Sequence, residues 1–321
     1  MMKKEDFRIV FMGTPEFAVC ILDKLVQNHY SIVGVITAPD KPAGRGQQVN
    51  ESAIKKYALE NQLNILQPTN LKDETFIHQL EDLRADLFVV VAFRMLPEVV
   101  WAMPPKGTIN LHASLLPNYR GAAPINWAVI NGDKETGVTS FFIEKEIDTG
   151  KVIERAKLPI GENETVGELH DRLMNLGATV IESTIQKIIN GEAIGIEQLK
   201  LAEGELKIAP KIFKQDCKIE WNQNVDIIHN FVRGLSPYPA AWCTLKNSLK
   251  GEIKTFKLFL SEKTMIPSNN TTSLKEDVDG ILFPCDDFYL KVTELQMEGK
   301  RKMHFKEFSA GNSVSDWQIE Y

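Results

Sequence analysis

Cysteine is scarce in this sequence, and its cysteines stand far apart. There are four of them: Cys20, Cys217, Cys243 and Cys285. No two stand at the short spacing that a metal clamp or a redox motif requires. The chain therefore has no sequence sign of a cysteine metal site, and reduced thiols in the cytoplasm fit it best.

Long apolar runs are also missing. Nothing approaches the roughly 20 apolar residues that cross a membrane. The N-terminal run from Phe7 to Met12 is interrupted by Arg8 and is too short for the apolar part of a signal peptide. We therefore expect a cytoplasmic protein without a membrane partner.

Several nucleotide and hydrolase motifs are absent. After the first predicted strand stands Gly13-Thr14-Pro15 instead of Gly-x-Gly-x-x-Gly, which argues against a nicotinamide dehydrogenase. Gly44-Arg45-Gly46 lacks the Lys-Ser/Thr ending of a phosphate-binding loop. There is no Gly-x-Ser-x-Gly, no histidine pair with metalloprotease spacing and no other metal-ligand set. Hydride transfer, nucleotide hydrolysis and serine hydrolysis are disfavoured, and we expect no metal.

What is present is the composition of a soluble two-domain enzyme. The 321 residues are 43% hydrophobic and 25% charged, with a net charge of −6. Between Glu205 and Lys263 ten Lys and Arg stand against six Asp and Glu, so the remainder carries −10. A phosphate-backbone partner held by this basic part would explain the asymmetry. A solvated surface of mixed charge would explain it equally well.

The first part of the chain alternates apolar runs with helix-like segments, as expected for parallel strands joined by helices. Strands are predicted at 7–12, 32–37, 87–92, 107–112 and 137–143, and helices at 16–28, 51–61, 73–83, 123–131 and 165–189. Residues 38–48 contain two prolines and two glycines and are predicted to form a long loop. Long loops usually serve function. We assign residues 1–206 to an α/β domain.

After about Lys207 the pattern changes to short β-rich segments. One helix is predicted at 225–233, and strands follow at 241–245, 255–260, 280–283 and 288–292. Turn signals separate these strands, which indicates a small antiparallel barrel or sandwich. We assign residues 207–321 to this second domain.

Two polar side chains share one face of a predicted strand. Asn110 and His112 are two residues apart, so they point the same way while Ile109 and Leu111 pack on the other face. The strand is expected to end at the ligand-binding edge of an open α/β sheet. A single strand histidine is more often structural, so the spacing alone leaves catalysis open.

Asp148 is a third candidate, in the segment Glu146-Ile147-Asp148-Thr149-Gly150. It is predicted to lie in a turn after a strand, where a carboxylate can orient an imidazole. Aspartate before Thr-Gly is also common as a purely structural turn residue. Taken singly, the structural role is favoured.

Three segments, taken in order, resemble the folate-dependent formyltransferases. They are Asn110-Leu111-His112-Ala113-Ser114-Leu115-Leu116-Pro117, Tyr119-Arg120-Gly121 and Asp148-Thr149-Gly150. The match extends to residues 11–15 and 39–46 and covers nearly the whole chain. Over this length the sequence most resembles the methionyl-tRNA formyltransferases of the family. Each piece alone is unspecific, but the ordered combination is specific. The resemblance implies a Rossmann-like domain followed by a barrel resembling an OB-fold.

The resemblance also implies roles for particular residues. Asn110, His112 and Asp148 would be catalytic, and no metal would be needed. Ser114, Leu115, Leu116 and Pro117 would belong to the site for 10-formyltetrahydrofolate, the co-substrate. Lys41, Arg45 and Lys211 would contact initiator methionyl-tRNA. We also expect a monomer. Two departures affect details: Gln47-Gln48 replace basic residues of the family loop, and Phe93-Arg94 replace an aromatic-glycine pair near the folate pocket.

The chemistry implied is attack of the methionine amine on the formyl carbon, which gives a tetrahedral species with a negatively charged oxygen. Asn110 and protonated His112 are suited to stabilise that oxygen, and Asp148 to accept the amine proton. Formyl transfer to a small amine, such as glycinamide ribonucleotide or an amino sugar, is the alternative enzyme hypothesis. An RNA-binding protein with a structural α/β part is disfavoured by the joint presence of the three residues.

Overall fold

The computed structural model describes residues 3–43, 48–269 and 271–320. They form two compact units. Unit 1 comprises Met1–Gly121, Gly137–Leu158 and His170–Ile208, and unit 2 comprises Ala122–Thr136, Pro159–Leu169 and Ala209–Tyr321. Two segments from the N-terminal part of the chain thus belong to unit 2. The division of function between residues 1–206 and 207–321 stays a prediction.

The strands, in chain order, are β1 (Arg8–Gly13), β2 (Ser31–Ile36), β3 (Lys41–Ala43), β4 (Gln48–Asn50), β5 (Ile65–Leu66), β6 (Leu87–Val91), β7 (Thr108–His112), β8 (Arg120–Gly121), β9 (Glu135–Phe142), β10 (Val152–Pro159), β11 (Ile208–Ala209), β12 (Ala241–Asn247), β13 (Ile253–Pro267), β14 (Lys275–Glu276), β15 (Ile281–Pro284), β16 (Phe288–Met297), β17 (Met303–His304) and β18 (Trp317–Glu320). The α-helices are α1 (Glu16–Gln27), α2 (Ala53–Glu60), α3 (Glu74–Asp82), α4 (Glu98–Trp101), α5 (Pro124–Ile130), α6 (Val166–Asn190), α7 (Val225–Leu235) and α8 (Phe305–Ser309).

The main sheet of unit 1 has the order β10-β9-β7-β6-β1-β2-β5. β1 pairs in parallel with β2 and β6, and β6 pairs in parallel with β7. β9 joins β7 in the antiparallel direction. This mostly parallel sheet with its helices confirms the predicted α/β domain. Because β6 is buried at all five positions, its continuous apolar run marks a strand covered on both faces.

Polar side chains fix where the helices of unit 1 begin. Ser52 caps α2 by accepting from the Lys55 backbone N–H, and Asp73 caps α3 by accepting from that of Phe76. Such caps satisfy amide groups that have no partner inside the helix. They place both helix starts within two residues of the predicted positions.

The predicted loop at 38–48 is wrong at Lys41–Ala43 and at Gln48, which lie in β3 and β4, whereas residues 38–40 have no regular structure, as predicted. β3 pairs antiparallel with β4, with Lys41 opposite Asn50 and Ala43 opposite Gln48. Of the two prolines that suggested an irregular loop, Pro42 lies in β3 and Pro39 lies two residues before it. Arg45, between these strands, lies outside the described residues.

Unit 2 contains a curled antiparallel sheet of order β14-β15-β16-β13-β12-β18, with β17 paired to β16. β12 alternates buried and half-buried residues, as expected for a strand with one face on a core. Phe256 contacts Phe308 and Trp317 edge to face in that core. The predicted small β domain is confirmed, and its curled sheet fits an OB-like fold.

In the described ranges, no helix is both long and apolar enough to cross a membrane.

Candidate active site

Asn110 and His112 occupy the end of β7, as the alternation predicted. Asn110 stands opposite Val90 of β6 and Phe141 of β9, and His112 stands opposite Thr139. Asn110 is half-buried and His112 is buried. The paired strands on both sides fix the backbone from which these two side chains project.

The imidazole of His112 has two different neighbours. Nε2 lies 2.7 Å from the carbonyl oxygen of Tyr119. Because a carbonyl oxygen can only accept, Nε2 carries a hydrogen and donates it. Nδ1 lies 3.8 Å from Oδ2 of Asp148, which is too long for a hydrogen bond but close enough for an ion pair when the ring is protonated. Protonation of this histidine therefore occurs at Nδ1, on the side of the carboxylate.

Asp148 is held in a tight turn. Its Oδ2 accepts from the Gly121 backbone N–H at 3.1 Å, and its φ is 55°. A positive φ is costly for a residue other than glycine, although aspartate tolerates it better than most. Gly150 follows two residues later, where a Cβ would lie 1.7 Å from the carbonyl oxygen of Phe142. The close approach of β9 requires glycine there, so the glycine of Asp-Thr-Gly has a steric function.

The structure therefore brings Asn110, His112 and Asp148 together at one edge of the unit 1 sheet. Their catalytic roles stay predictions. Among the described residues, no group of three or more His, Cys, Asp or Glu side chains is placed to hold a metal ion.

The segment predicted to hold folate is fixed by its own hydrogen bonds. The Ser114 hydroxyl donates to the Asn118 carbonyl at 2.6 Å, and Thr139 bonds both the Ser114 carbonyl and the Leu116 N–H. Ser114, Leu116 and Pro117 are buried, and Leu115 is half-buried. A ligand at this segment would meet mainly backbone atoms and the Leu115 side chain.

The Arg94 side chain contacts the backbone of the segment that follows β5. Its guanidinium donates to the Thr69 carbonyl at 2.9 Å and to the Pro68 carbonyl, and it lies 5.6 Å from the centre of the Phe93 ring. Partial burial lowers the pKa of Arg94. The departure from the family pattern at Phe93-Arg94 is thus accommodated by local contacts.

The residues predicted to bind tRNA are only partly described. Arg45 and the side chain of Lys41 lie outside the described residues. Lys211 is exposed, and its Nζ lies 5.2 Å from the centre of the Phe213 ring. It lines a cavity of about 370 Å³ within unit 2, together with Lys214, Lys257, Tyr238 and Trp242.

Sequence reasoning missed Gln198, a buried side chain that contacts the Asp148 turn. Its amide nitrogen donates to the carbonyls of Asp148 and Gly150 at 2.8 and 2.9 Å. Gln198 stands 50 residues from Asp148 in a short 3₁₀ turn, Gln198–Leu201. No motif or periodicity distinguishes it in the sequence.

Comparison with known proteins identifies the class. The formyl transferase family model matches residues 7–185, and the model of the formyl transferase C-terminal domain matches 211–313. The chain belongs to the formyl transferase family.

Named relatives give a narrower group. The chain is 52% identical to a methionyl-tRNA formyltransferase of Bacteroides fragilis over 98% of both chains. It is 51% identical to one of Flavobacterium johnsoniae, over 97% of this chain and 98% of that one. An N-formyltransferase from Helicobacter canadensis, solved with folinic acid and dTDP-3-aminofucose, shares the fold at 21% identity and a TM-score of 0.63, over 92% of this chain and 100% of that chain.

Proposed function

We propose that this chain transfers the formyl group of 10-formyltetrahydrofolate to the amino group of methionine on initiator tRNA, for translation initiation. Relatives that carry this activity in their names are about half identical to it over nearly their whole length. The structural observation that carries the chemistry is the placement of His112, with Nε2 on a carbonyl and Nδ1 facing Asp148, beside Asn110.

The first step is attack of the amine nitrogen on the formyl carbon. The carbonyl double bond opens, and its oxygen becomes an alkoxide. The Asn110 amide and the Nδ1–H of protonated His112 donate hydrogen bonds to that oxygen. Both donors are fixed by β7 before the substrate arrives, so little reorganisation is needed at the moment of reaction.

Asp148 accepts a proton and later returns it in the proposed reaction. Its carboxylate lies on the Nδ1 side of His112, 3.8 Å from that nitrogen. It then accepts the proton that the attacking amine must lose, directly or through water. Collapse of the tetrahedral species re-forms the carbonyl and breaks the bond to N10 of folate. Asp148 returns the proton to N10, directly or through water, so tetrahydrofolate leaves as a neutral amine.

The remaining contacts follow from the same proposal. Ser114, Leu115, Leu116 and Pro117 form one wall of the folate site. Lys41, in β3, and Arg45, which follows β3 in the sequence, contact the tRNA. Lys211 contacts it through the basic and aromatic cavity of unit 2, since lysines meet phosphates and aromatic rings stack on bases. Residues 207–321 provide the tRNA-binding domain of a monomeric cytoplasmic enzyme.

Transfer to a small amine is the alternative, because the Helicobacter canadensis neighbour was solved with an amino-sugar nucleotide. That similarity extends to the fold alone. Formyl transfer from 10-formyltetrahydrofolate should be measured in parallel with initiator methionyl-tRNA and with an amino-sugar nucleotide or glycinamide ribonucleotide. We expect turnover with the tRNA and background rates with the small amines. The opposite preference would overturn the proposal.

A further inference from the structure

Gln198 is a buried polar residue whose amide is fully engaged. Only 3% of it is exposed. Its Nε2 donates both hydrogens, to the carbonyls of Asp148 and Gly150. Its Oε1 accepts twice from Arg120, from Nε at 3.0 Å and from Nη2 at 2.7 Å. Gln198 thus joins two separate segments of unit 1.

One of these segments contains Asp148, and the other bonds its carboxylate. The backbone carbonyl of Asp148 is bonded to Gln198, and its carboxylate is bonded to the N–H of Gly121, the residue after Arg120. The same amide therefore holds the turn that carries the carboxylate and the segment that orients it. The positive φ of Asp148 adds a reason for this support, because an unfavourable conformation persists only where its surroundings determine it.

We propose that Gln198 is a positioning residue that sets the place of the Asp148 carboxylate relative to Nδ1 of His112. It touches no reacting atom and acts through Asp148 alone. This inference rests on the proposed function, because it requires Asp148 to take part in formyl transfer.

Gln198→Met is the main test, since methionine has a similar length but neither donates to carbonyls nor accepts from Arg120. We expect kcat to fall by roughly 10- to 100-fold, because displacement of a catalytic group by about 1 Å has effects of this size. KM for folate and for tRNA should stay within about threefold of wild type, since Gln198 contacts the backbone of the turn and is not proposed to contact either substrate. Gln198→Glu retains acceptors for Arg120 but loses both donors. If the donors matter, this variant will resemble Gln198→Met.

Thr184→Val is the matched control for a simple loss of stability. The Thr184 hydroxyl is buried in unit 1, on α6, and bonds the Ser140 hydroxyl at 2.6 Å. The control should lower Tm while leaving kcat unchanged at a temperature well below Tm.

A double-mutant cycle with Asp148→Asn separates positioning from a structural role. If Gln198 acts through the carboxylate, Gln198→Met should change kcat by less than about twofold in the Asp148→Asn background. An equal loss in both backgrounds, or wild-type kcat in Gln198→Met, would overturn the inference. Should the wild-type chain formylate a small amine instead of tRNA, the proposed function fails, and the same cycle measured with that amine still tests Gln198.

Discussion

Unit 1 and unit 2 each bury a histidine, but they hold it in different ways. In unit 1, His112 has one nitrogen on a carbonyl and the other facing Asp148 at 3.8 Å. In unit 2, Nδ1 of His229 lies 3.0 Å from the Ser261 hydroxyl, and Nε2 lies 3.3 Å from the Glu162 carbonyl. Both nitrogens of His229 are thus engaged with neutral groups.

The electrostatic surroundings of His229 favour the neutral ring. The pKa of His229 is lowered to about 4, mainly by burial and also by the cations Arg233 and Lys263, against the raising effects of the Glu162 carbonyl and Asp226. His229 thus stays neutral and ties α7 to the segment around Glu162. The comparison teaches that burial alone does not mark a catalytic histidine. What distinguishes His112 is a nitrogen that faces a carboxylate.

The largest expected effect is on catalysis in unit 1. Asn110→Ala and His112→Ala should each lower kcat by about 100- to 1,000-fold, the range seen when an oxyanion donor is lost, with a modest change in folate affinity. Steady-state kinetics with saturating tRNA will measure it. His229→Gln is the control and should retain wild-type kcat. Near-normal turnover in either unit 1 variant would remove that residue from the mechanism.

The next effect is on stability in unit 2. Because folding depresses the pKa of His229 from about 6.5 to about 4, the unfolded chain binds a proton that the folded chain does not in this range. The free energy of unfolding should therefore fall as the pH decreases through this window, by on the order of 3 kcal/mol from this residue. Urea unfolding between pH 7 and pH 4.5 measures it. His229→Gln should reduce the dependence, and identical curves for both proteins would contradict the assignment.

A smaller effect is expected for Arg45, which stands between β3 and β4 in the sequence. Arg45→Ala should lower kcat/KM for methionyl-tRNA by at least about tenfold, roughly 1.4 kcal/mol, while folate binding is unchanged. If the contact is to phosphate, the salt dependence of tRNA binding should become shallower. Kinetics at several salt concentrations, with folate titration of both proteins, will decide. Equal tRNA kinetics would favour a small amine as the acceptor.

The smallest effect concerns the cavity of unit 2. Lys211→Ala and Lys257→Ala should each weaken tRNA binding by about threefold, since each removes one phosphate neighbour. Lys254→Ala is the matched control, because Lys254 lies outside the cavity and pairs with Glu252 at 3.0 Å. Filter binding at fixed salt measures all three. A loss in the control as large as in the other two would mean that only net charge matters.

Local patterns predicted most of the α/β elements well. α1 ends at Gln27, one residue before its predicted end, and β7 ends at His112 as expected. β10 escaped prediction, because its residues Val152–Pro159 mix charged and apolar side chains at a sheet edge. β13 extends well beyond its predicted range, since its ends gain pairing partners that the sequence does not reveal.

For the site, the strand period placed Asn110 and His112 on one face, and the motif pointed to Asp148. The bond from His112 to the Tyr119 carbonyl depends on how the chain turns after β7, which no local pattern encodes. Gln198 is even harder to predict, because only folding brings it next to the Asp148 turn, 50 residues away in the sequence.

The hydrogen bond to the Tyr119 carbonyl also limits proton transfer through His112. Since Nε2 of His112 is committed as a donor to an atom that cannot release a proton, the ring has a single entrance for protons, Nδ1. A proton that arrives there must leave by the same atom, so the imidazole cannot pass it on to the Tyr119 carbonyl. In the proposed reaction, His112 is therefore the end of a proton path, and protons would enter and leave it on the Asp148 side.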